Sequence, residues 1–441
     1  MTNAPPEGIV RRIYANLARL IGGKAGAGVI SLGYMIIAAR ALGPADYGVL
    51  MLVHTFAMTV GGIVEFPGWH AIVRYGAEAL AAKDHGRLGR LLRFAGAVEL
   101  TGGAAAVATA AVLGPLLGSR LGWSPVAVAF ALPYSLAVLA SIRATPAGYL
   151  QLVGRFDLLA MHTLAAPMMR LVGAGIAVEM GTGLHGFLIA WLVAALVEWA
   201  SLWAIGLWVA RRELGTVPLV GPIRGVTSEN EGIWRFMIGA NADVTFGELA
   251  GRIPPLLIGA TLGSVATGLY SLAQRVTVVL AAPAQVLGQA AYAELARLVA
   301  AGGHGAPLRR ALSHSVRIAL VAAAPVVIVL LLFGRQVAVL IGGPAYAGAA
   351  GLLVWLTLAR TILLAGPTAS AALVALGRPS LSVVANLGSA FATLPLLVML
   401  LRVFGIMGAG WQALVQAAVA AGLLTFFVGR ESRRRDRGAT A

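Results

Sequence analysis

The sequence predicts an all-α polytopic membrane protein with about 12 transmembrane helices, in two six-helix lobes around a central cavity. Three observations support this class: an apolar composition, a series of long apolar segments, and a repeat at half the length of the chain. Of the 441 residues, 59% are hydrophobic and only 11% are charged. A chain of this composition cannot present a water-soluble surface over its whole length.

Twelve segments are apolar enough to cross a bilayer, since a spanning helix needs about 20 predominantly apolar residues. They lie roughly at 17–39, 47–68, 92–114, 124–148, 158–179, 184–209, 235–258, 264–287, 312–333, 347–371, 380–401 and 406–429. Six precede and six follow a polar connection that contains TSENEG. The predicted domains are an N-terminal lobe over 1–210, a cytoplasmic linker over 211–233, a C-terminal lobe over 234–429 and a basic cytoplasmic tail over 430–441.

Short sequence patterns recur in the same order after about half the chain. The recurring pairs are Leu42-Gly43 with Leu262-Gly263, His85-Gly86 with His304-Gly305, and Gly154-Arg155 with Gly377-Arg378. Each match is weak alone, but their nearly constant spacing indicates an internal repeat. A polytopic chain built of two like halves is typical of alternating-access carriers, whose site lies where the halves meet.

Basic residues in the short loops concentrate on one predicted face of the membrane. With both termini cytoplasmic, the opposite face receives only Arg40, Arg120, Arg335 and Arg402. This bias follows the positive-inside rule, and six helices per lobe make the two repeats parallel. The same loop charge accounts for the net charge of +16, so no nucleic acid partner is predicted.

Six basic residues fall inside the predicted spans. They are Lys24, Arg143, Arg170, Arg252, Arg275 and Arg360. Each would cost about 2.5–3.5 kcal/mol if it faced lipid at mid-bilayer, so these side chains are expected to face protein or a wet cavity. Two interpretations stay open for each residue: a structural ion pair between helices, or a contact with an anionic group such as a pyrophosphate.

The seventh predicted span, 235–258, carries the candidate ion-coupling residues, Asp243 and Glu248. The alternative is structural, because Glu248 and Arg252 are four residues apart on one helix face and can pair. Coupling to Na⁺ or H⁺ is therefore an open expectation, and no other cofactor is predicted. His54, His162 and His314 are interpreted as isolated structural histidines.

No enzyme or metal site is predicted. The chain has no cysteine, and it lacks a phosphate-binding GxxxxGK[ST] loop, an HExxH pair and a GxSxG elbow. No loop is long enough to fold a catalytic domain.

Several phrases of the chain resemble the polysaccharide-transporter (Wzx-type oligosaccharide flippase) family of the multidrug, oligosaccharidyl-lipid and polysaccharide exporter superfamily. They are AARALGPADYGVL after helix 1, VRYGAEAL and GRLGRLLRFA after helix 2, GYLQLVGRFDLLA after helix 4, and IGATLGSVATGLYSLAQRV between helices 7 and 8. The ARxLGPxDYG phrase is the most specific of them. The resemblance covers nearly the whole length.

This resemblance implies a flippase of a bacterial inner membrane that moves polyprenyl-pyrophosphate-linked oligosaccharide to the outer leaflet. Intramembrane basic residues would bind the pyrophosphate, with Lys24, Arg252, Arg275 and Arg360 as the candidates that the resemblance points to. Expected partners are that lipid, the surrounding membrane lipids, and polysaccharide polymerase or export machinery. Two alternatives remain: a cation-coupled exporter of drugs or metabolites on the same fold, and a membrane scaffold for glycan synthesis.

Overall fold

A computed structural model describes residues 6–64, 68–215, 217–218, 221–278, 295, 297–299 and 306–439. Its α-helices are α1 Pro6–Val64, α2 Trp69–Ala81, α3 His85–Leu117, α4 Pro125–Ala129, α5 Ala131–Tyr134, α6 Ala144–Leu152, α7 Phe156–His162, α8 Ala165–Glu179, α9 Gly183–Leu214, α10 Val226–Glu229, α11 Ile233–Val278, α12 Ala306–Gly342, α13 Ala350–Leu363, α14 Gly366–Ala375, α15 Pro379–Ala392, α16 Leu394–Phe404 and α17 Met407–Ala439. Short 3₁₀ turns cover Gly118–Leu121, Ser135–Ser141 and Pro344–Ala349. Every regular element in these ranges is helical, as predicted.

Within the described ranges, nine helical stretches are long and apolar enough to cross a membrane. Two of them, Gly22–Ile63 and Thr245–Val278, each run through two predicted segments. The chain bends inside both of these stretches, because Gly43 and Gly263 have non-helical backbone angles. Nine long stretches are therefore compatible with the larger number of predicted spans.

The fourth predicted span, 124–148, is not one continuous helix. The chain here forms α4, α5, a 3₁₀ turn and the start of α6. Three prolines (Pro125, Pro133 and Pro146) lie along this stretch, and proline removes a backbone donor and disfavours the helical conformation of the residue before it. The prediction of an unbroken fourth helix is wrong for this reason.

Helix α2 was not predicted as an element of its own. It begins at Trp69, and its inward face buries Ala71, Ile72 and Tyr75. Helix α3 then begins at His85, earlier than the predicted start at residue 92. The carboxylate of Asp84 caps it by accepting a hydrogen bond from the backbone N–H of Arg87 at 2.8 Å, which stabilises this first turn.

The described chain forms two compact units. Unit 1 comprises Met1–Leu42 and Leu52–Arg252, and unit 2 comprises Gly43–Met51 and Ile253–Ala441. The core of unit 1 packs α2, α3, α6 and α9 around buried Leu88 and Leu150. A corresponding core in unit 2 packs α12, α14, α15 and α17 around buried Leu308 and Leu373.

Two pairs of repeat-related glycines have matching backbone conformations. Gly43 has φ 65° and ψ 177°, and Gly263 has φ 83° and ψ −175°. Both have positive φ, which glycine adopts without the steric cost that a side chain would add. Gly154 and Gly377 also have positive φ, at 76° and 70°.

The turns at Gly154 and Gly377 share their hydrogen bonds as well. The N–H of Arg155 donates to the carbonyl of Leu150 at 2.8 Å, and the N–H of Arg378 donates to Leu373 at 2.8 Å. These bonds close the ends of α6 and α14 in the same way. The internal repeat is thereby confirmed at two of its three predicted positions; His304-Gly305 lies outside the described residues.

In unit 2, the helical segment after Gly43 crosses the helical segment after Gly263. We call this contact the reciprocal crossing, and it provides further evidence of the repeat. A Cβ on Gly48 would lie 1.8 Å from the carbonyl oxygen of Ser264, and one on Gly268 would lie 2.0 Å from that of Pro44. Pro44 and Ser264 are related by the repeat spacing, as are Gly48 and Gly268. The crossing therefore has approximate twofold symmetry, and both contacts require glycine.

Candidate functional site

Arg170, one of the six basic residues predicted inside the spans, contacts a hydroxyl, a histidine and two aromatic rings. It projects from α8 towards Tyr34 and His54 of α1 and Trp191 of α9. Its Nη1 donates to the Tyr34 hydroxyl at 3.4 Å, and its Nη2 lies 3.1 Å from His54 Nε2. The guanidinium also lies 5.8 Å and 5.7 Å from the ring centres of Tyr34 and Trp191. These two aromatic contacts add cation–π attraction to the hydrogen bonds.

His54 connects Arg170 to Tyr134 through its two ring nitrogens. Its Nε2 atom faces the guanidinium of Arg170, which has donors only. Its Nδ1 atom lies 3.1 Å from the Tyr134 hydroxyl. His54 is therefore not isolated, contrary to its interpretation from the sequence.

The charge of Arg170 is not neutralised by any carboxylate among the described side chains. Its Nε is buried and has no described hydrogen-bond partner. The half-buried guanidinium of Arg170 is surrounded by rings, a hydroxyl and an imidazole, which together form a setting of low polarity. It can therefore attract an anionic oxygen more strongly than an exposed arginine can.

Two of the other predicted cations form ion pairs. Arg143 binds Glu198 at 2.7 Å, and Arg252 binds Glu248 at 2.8 Å. Arg252 also donates to the backbone carbonyl of Met58. The Glu248–Arg252 pair predicted from the four-residue spacing is confirmed. Glu248 thus has a structural partner, which weakens its case as an ion-coupling residue.

The remaining predicted residues differ in exposure. Lys24 and Arg275 are exposed, whereas Arg360 is half-buried on α13. The side chain of Asp243 lies outside the described residues, so its coupling role stays a prediction. Arg143, Arg170 and Arg252 of unit 1 contact different partners, and the predicted convergence of cations from both lobes stays a prediction.

Glu99 has a role that sequence reasoning did not find. It is completely buried on α3, where it accepts hydrogen bonds from the backbone N–H groups of Ala144 and, at 2.7 Å, Thr145. These are the first residues of α6, so the carboxylate caps a helix that begins inside the lobe. One sequence feature could have indicated this role: Glu99 is an acidic residue inside a predicted span, and the next span along the chain is interrupted by prolines.

Unit 2 contains uncharged polar side chains that hydrogen-bond to one another or to the backbone on α15 and α17. Gln412 of α17 donates to the Thr393 hydroxyl at 2.9 Å and to the Gln416 side-chain carbonyl at 3.0 Å. On α15, exposed Asn386 donates to the carbonyl of Ser382 at 2.9 Å. Gln412 is buried, whereas Asn386 and Gln416 are accessible.

The arrangement of these helices is similar to that of solved membrane transporters. An inward-facing multidrug resistance MATE family transporter of the MOP superfamily matches with a TM-score of 0.74 and 16% identity, over 93% of this chain and 95% of that chain. Lipid II flippase MurJ in an inward closed conformation matches with a TM-score of 0.66 and 11% identity, over 93% and 87%. The chain is therefore a multi-pass membrane protein with the all-helical, two-lobed fold of these proteins.

A family model described as polysaccharide biosynthesis protein matches residues 13–293. The chain belongs to this family, and the resemblance seen in the sequence is confirmed. A relative, inner membrane protein YghQ of Escherichia coli (strain K12), is 27% identical over 296 residues, which are 66% of this chain and 82% of the relative.

Proposed function

We propose that the protein is a flippase for a lipid-linked oligosaccharide. It moves a polyprenyl-pyrophosphate-linked glycan from the cytoplasmic to the outer leaflet of a bacterial inner membrane, for assembly of surface polysaccharide. It acts as a transporter that alternates its access between the two sides, and it performs no chemical step on the glycan.

The observation that carries this proposal is the environment of Arg170. A pyrophosphate offers several anionic oxygens to a guanidinium, and bidentate contacts suit both groups. Arg170 presents a charge without a described carboxylate, whereas Arg143 and Arg252 already have theirs. Arg170 is therefore the strongest candidate for the headgroup contact among the predicted cations.

The family and the fold support the substrate class. The matching family is one of polysaccharide biosynthesis, and one protein with this fold is the lipid II flippase MurJ. The accessible amides of Asn386 and Gln416 in unit 2 offer both donors and acceptors, which suit the hydroxyl groups of a glycan. YghQ is an inner membrane protein, which supports the same location here.

A multidrug exporter is the second candidate, because a multidrug MATE structure also matches this chain closely. Cationic drugs would be repelled by an uncompensated Arg170, since like charges in a setting of low polarity disfavour binding. The geometry therefore favours an anionic substrate.

The test replaces Arg170 by Gln in a strain whose surface polysaccharide depends on this protein. We expect export to fall by about tenfold or more, because a charge-assisted contact contributes roughly 1.5–3 kcal/mol. Arg120→Gln is the matched control, since Arg120 is an exposed arginine of the same unit. Full export by a membrane-inserted Arg170→Gln variant, or drug efflux without any effect on surface glycan, would refute the proposal.

A further inference from the structure

Unit 1 contains a cavity of about 290 Å³ between α3, α6 and α9. Its walls are apolar and include small residues that leave space between the helices, among them Gly96 and Ala97 of α3 and Ala210 of α9. Trp203 forms another part of the wall, where its indole N–H donates to the carbonyl of Ile142 at 2.8 Å. The volume is close to the lower limit of about 300 Å³ for small-ligand sites.

The cavity opens towards the outside of the helices that form it. Leu100 of α3 and Leu207 of α9 both line it, and they are 42% and 38% exposed. Both helices are long and apolar enough to cross a membrane, so an opening on their lipid-facing side would meet the hydrocarbon of the bilayer. An apolar chain can enter from the bilayer without crossing water.

One end of the cavity is positively charged. Arg93 lines it, and its guanidinium donates to the backbone carbonyls of Pro218 and Pro222. Its Nε is buried and has no described partner. Both acceptors are neutral carbonyls, so the charge of Arg93 is not compensated by an ion pair with a described carboxylate.

Further basic residues lie at the same end. Arg211 and Arg212 follow Ala210 at the end of α9, and Arg212 stacks on exposed Trp208 with 3.9 Å to the ring centre. A tryptophan beside an arginine at a helix end is typical of the bilayer interface, at the level of the lipid headgroups. Glu213, the nearby acid, is bound by the Tyr149 hydroxyl at 3.3 Å.

We propose that this cavity binds one hydrocarbon chain of an anionic phospholipid, with the lipid phosphate at Arg93. The site lies within one lobe, and its occupant is a resident membrane lipid. Such a lipid would hold Arg93 in place, and with it the carbonyls of Pro218 and Pro222 that Arg93 binds. This site is independent of the proposed flippase function, because it involves neither Arg170 nor the glycan.

The test uses native mass spectrometry of the full chain purified in detergent and titrated with phosphatidylglycerol. The comparison lipids are phosphatidylcholine with the same chains and a polyprenyl phosphate. Ala97→Phe fills the cavity, and Arg93→Gln removes the charge. Ala104→Phe is the matched control, because Ala104 is an exposed residue of the same helix.

We expect Arg93→Gln to weaken phosphatidylglycerol binding by about fivefold, the factor that corresponds to the loss of one arginine–phosphate attraction. Ala97→Phe should cause a comparable loss, while Ala104→Phe should bind like the wild type. A photoactivatable phosphatidylglycerol should crosslink to peptides that contain Gly96–Leu100 or Trp203–Ala210.

Three results would overturn the proposal. The first is unchanged binding in a folded Ala97→Phe variant, and the second is equal affinity for phosphatidylcholine. The third is preferential, Arg93-dependent binding of the polyprenyl phosphate, which would identify the cavity as a site for the carrier lipid. If Arg93→Gln fails to fold, Ala97→Phe and the crosslinking map still decide between these outcomes.

Discussion

The two units share backbone geometry at repeat-related positions but differ in their polar chemistry. The turns that end α6 and α14 have the same hydrogen bonds and the same glycine conformation. Apart from these shared turns, the polar groups differ. Unit 1 has the guanidinium of Arg170 among aromatic rings, whereas unit 2 has amides and hydroxyls along α15 and α17. The difference teaches that the repeat specifies where the chain bends, whereas the polar side chains near these bends differ between the two units.

The largest effect is expected at the reciprocal crossing. Gly48→Ala and Gly268→Ala should each strongly reduce the amount of folded protein, because each Cβ would overlap a backbone oxygen. Overpacking costs about 1–3 kcal/mol where side chains can shift, and the cost here exceeds that range because the overlapped atom belongs to the backbone. The measurement is the monodisperse fraction after detergent extraction.

Gly28→Ala is the control, since no described atom lies within 4 Å of its Cβ position. Tolerance of either substitution at the crossing would show that the two contacts are not equivalent.

Removing a buried polar side chain should lower the stability of the protein more at Glu99 of unit 1 than at Gln412 of unit 2. Glu99→Ala leaves two backbone N–H groups at the start of α6 without their acceptor, at a cost of roughly 1–3 kcal/mol for each group. Gln412→Leu removes neutral hydrogen bonds that contribute only about 0.5–1.5 kcal/mol each. Thermal unfolding in detergent, followed by tryptophan fluorescence, should therefore show the larger loss for Glu99→Ala. The reverse order would contradict the capping role of Glu99.

The two repeated turns should respond alike. Gly154→Ala and Gly377→Ala should each destabilise the protein by roughly 1–2 kcal/mol, because alanine is strained at positive φ. Gly175→Ala serves as the control, since Gly175 lies within α8 and no described atom lies within 4 Å of its Cβ position. Thermal midpoints of the three variants provide the comparison. A large difference between Gly154→Ala and Gly377→Ala would break the structural equivalence of the turns.

The smallest effect is expected from breaking the ion pair between Arg252 and Glu248. The Arg252–Glu248 coupling should be only about 0.2–1 kcal/mol, because both side chains are partly exposed and pairs of this kind are weak. A double-mutant cycle with Arg252→Gln and Glu248→Gln measures this coupling. The same variants should retain polysaccharide export, in contrast to Arg170→Gln. Loss of export without loss of folded protein would assign Arg252 to the substrate site.

The sequence predicted much of the fold because membrane helices are specified by long apolar segments and bends by glycine. It missed the interruption of the fourth span, where three prolines lie within an otherwise apolar segment. The candidate site was less predictable. Spacing along one helix revealed the Glu248–Arg252 pair, but the pairing of Arg143 with Glu198 joins different helices. The contact of Arg170 with His54 spans 116 positions, and no local pattern encodes such a contact.

The central claim is that Arg170 holds an anionic headgroup on a lipid-linked glycan. Mass spectrometry of the lipids that copurify with the protein tests it most directly, with wild type, Arg170→Gln and Arg120→Gln compared side by side. The account predicts a polyprenyl-pyrophosphate-linked glycan enriched with the wild type and with Arg120→Gln, and largely lost from Arg170→Gln. Equal retention of that lipid by folded Arg170→Gln, or its absence from all three preparations, would contradict the account.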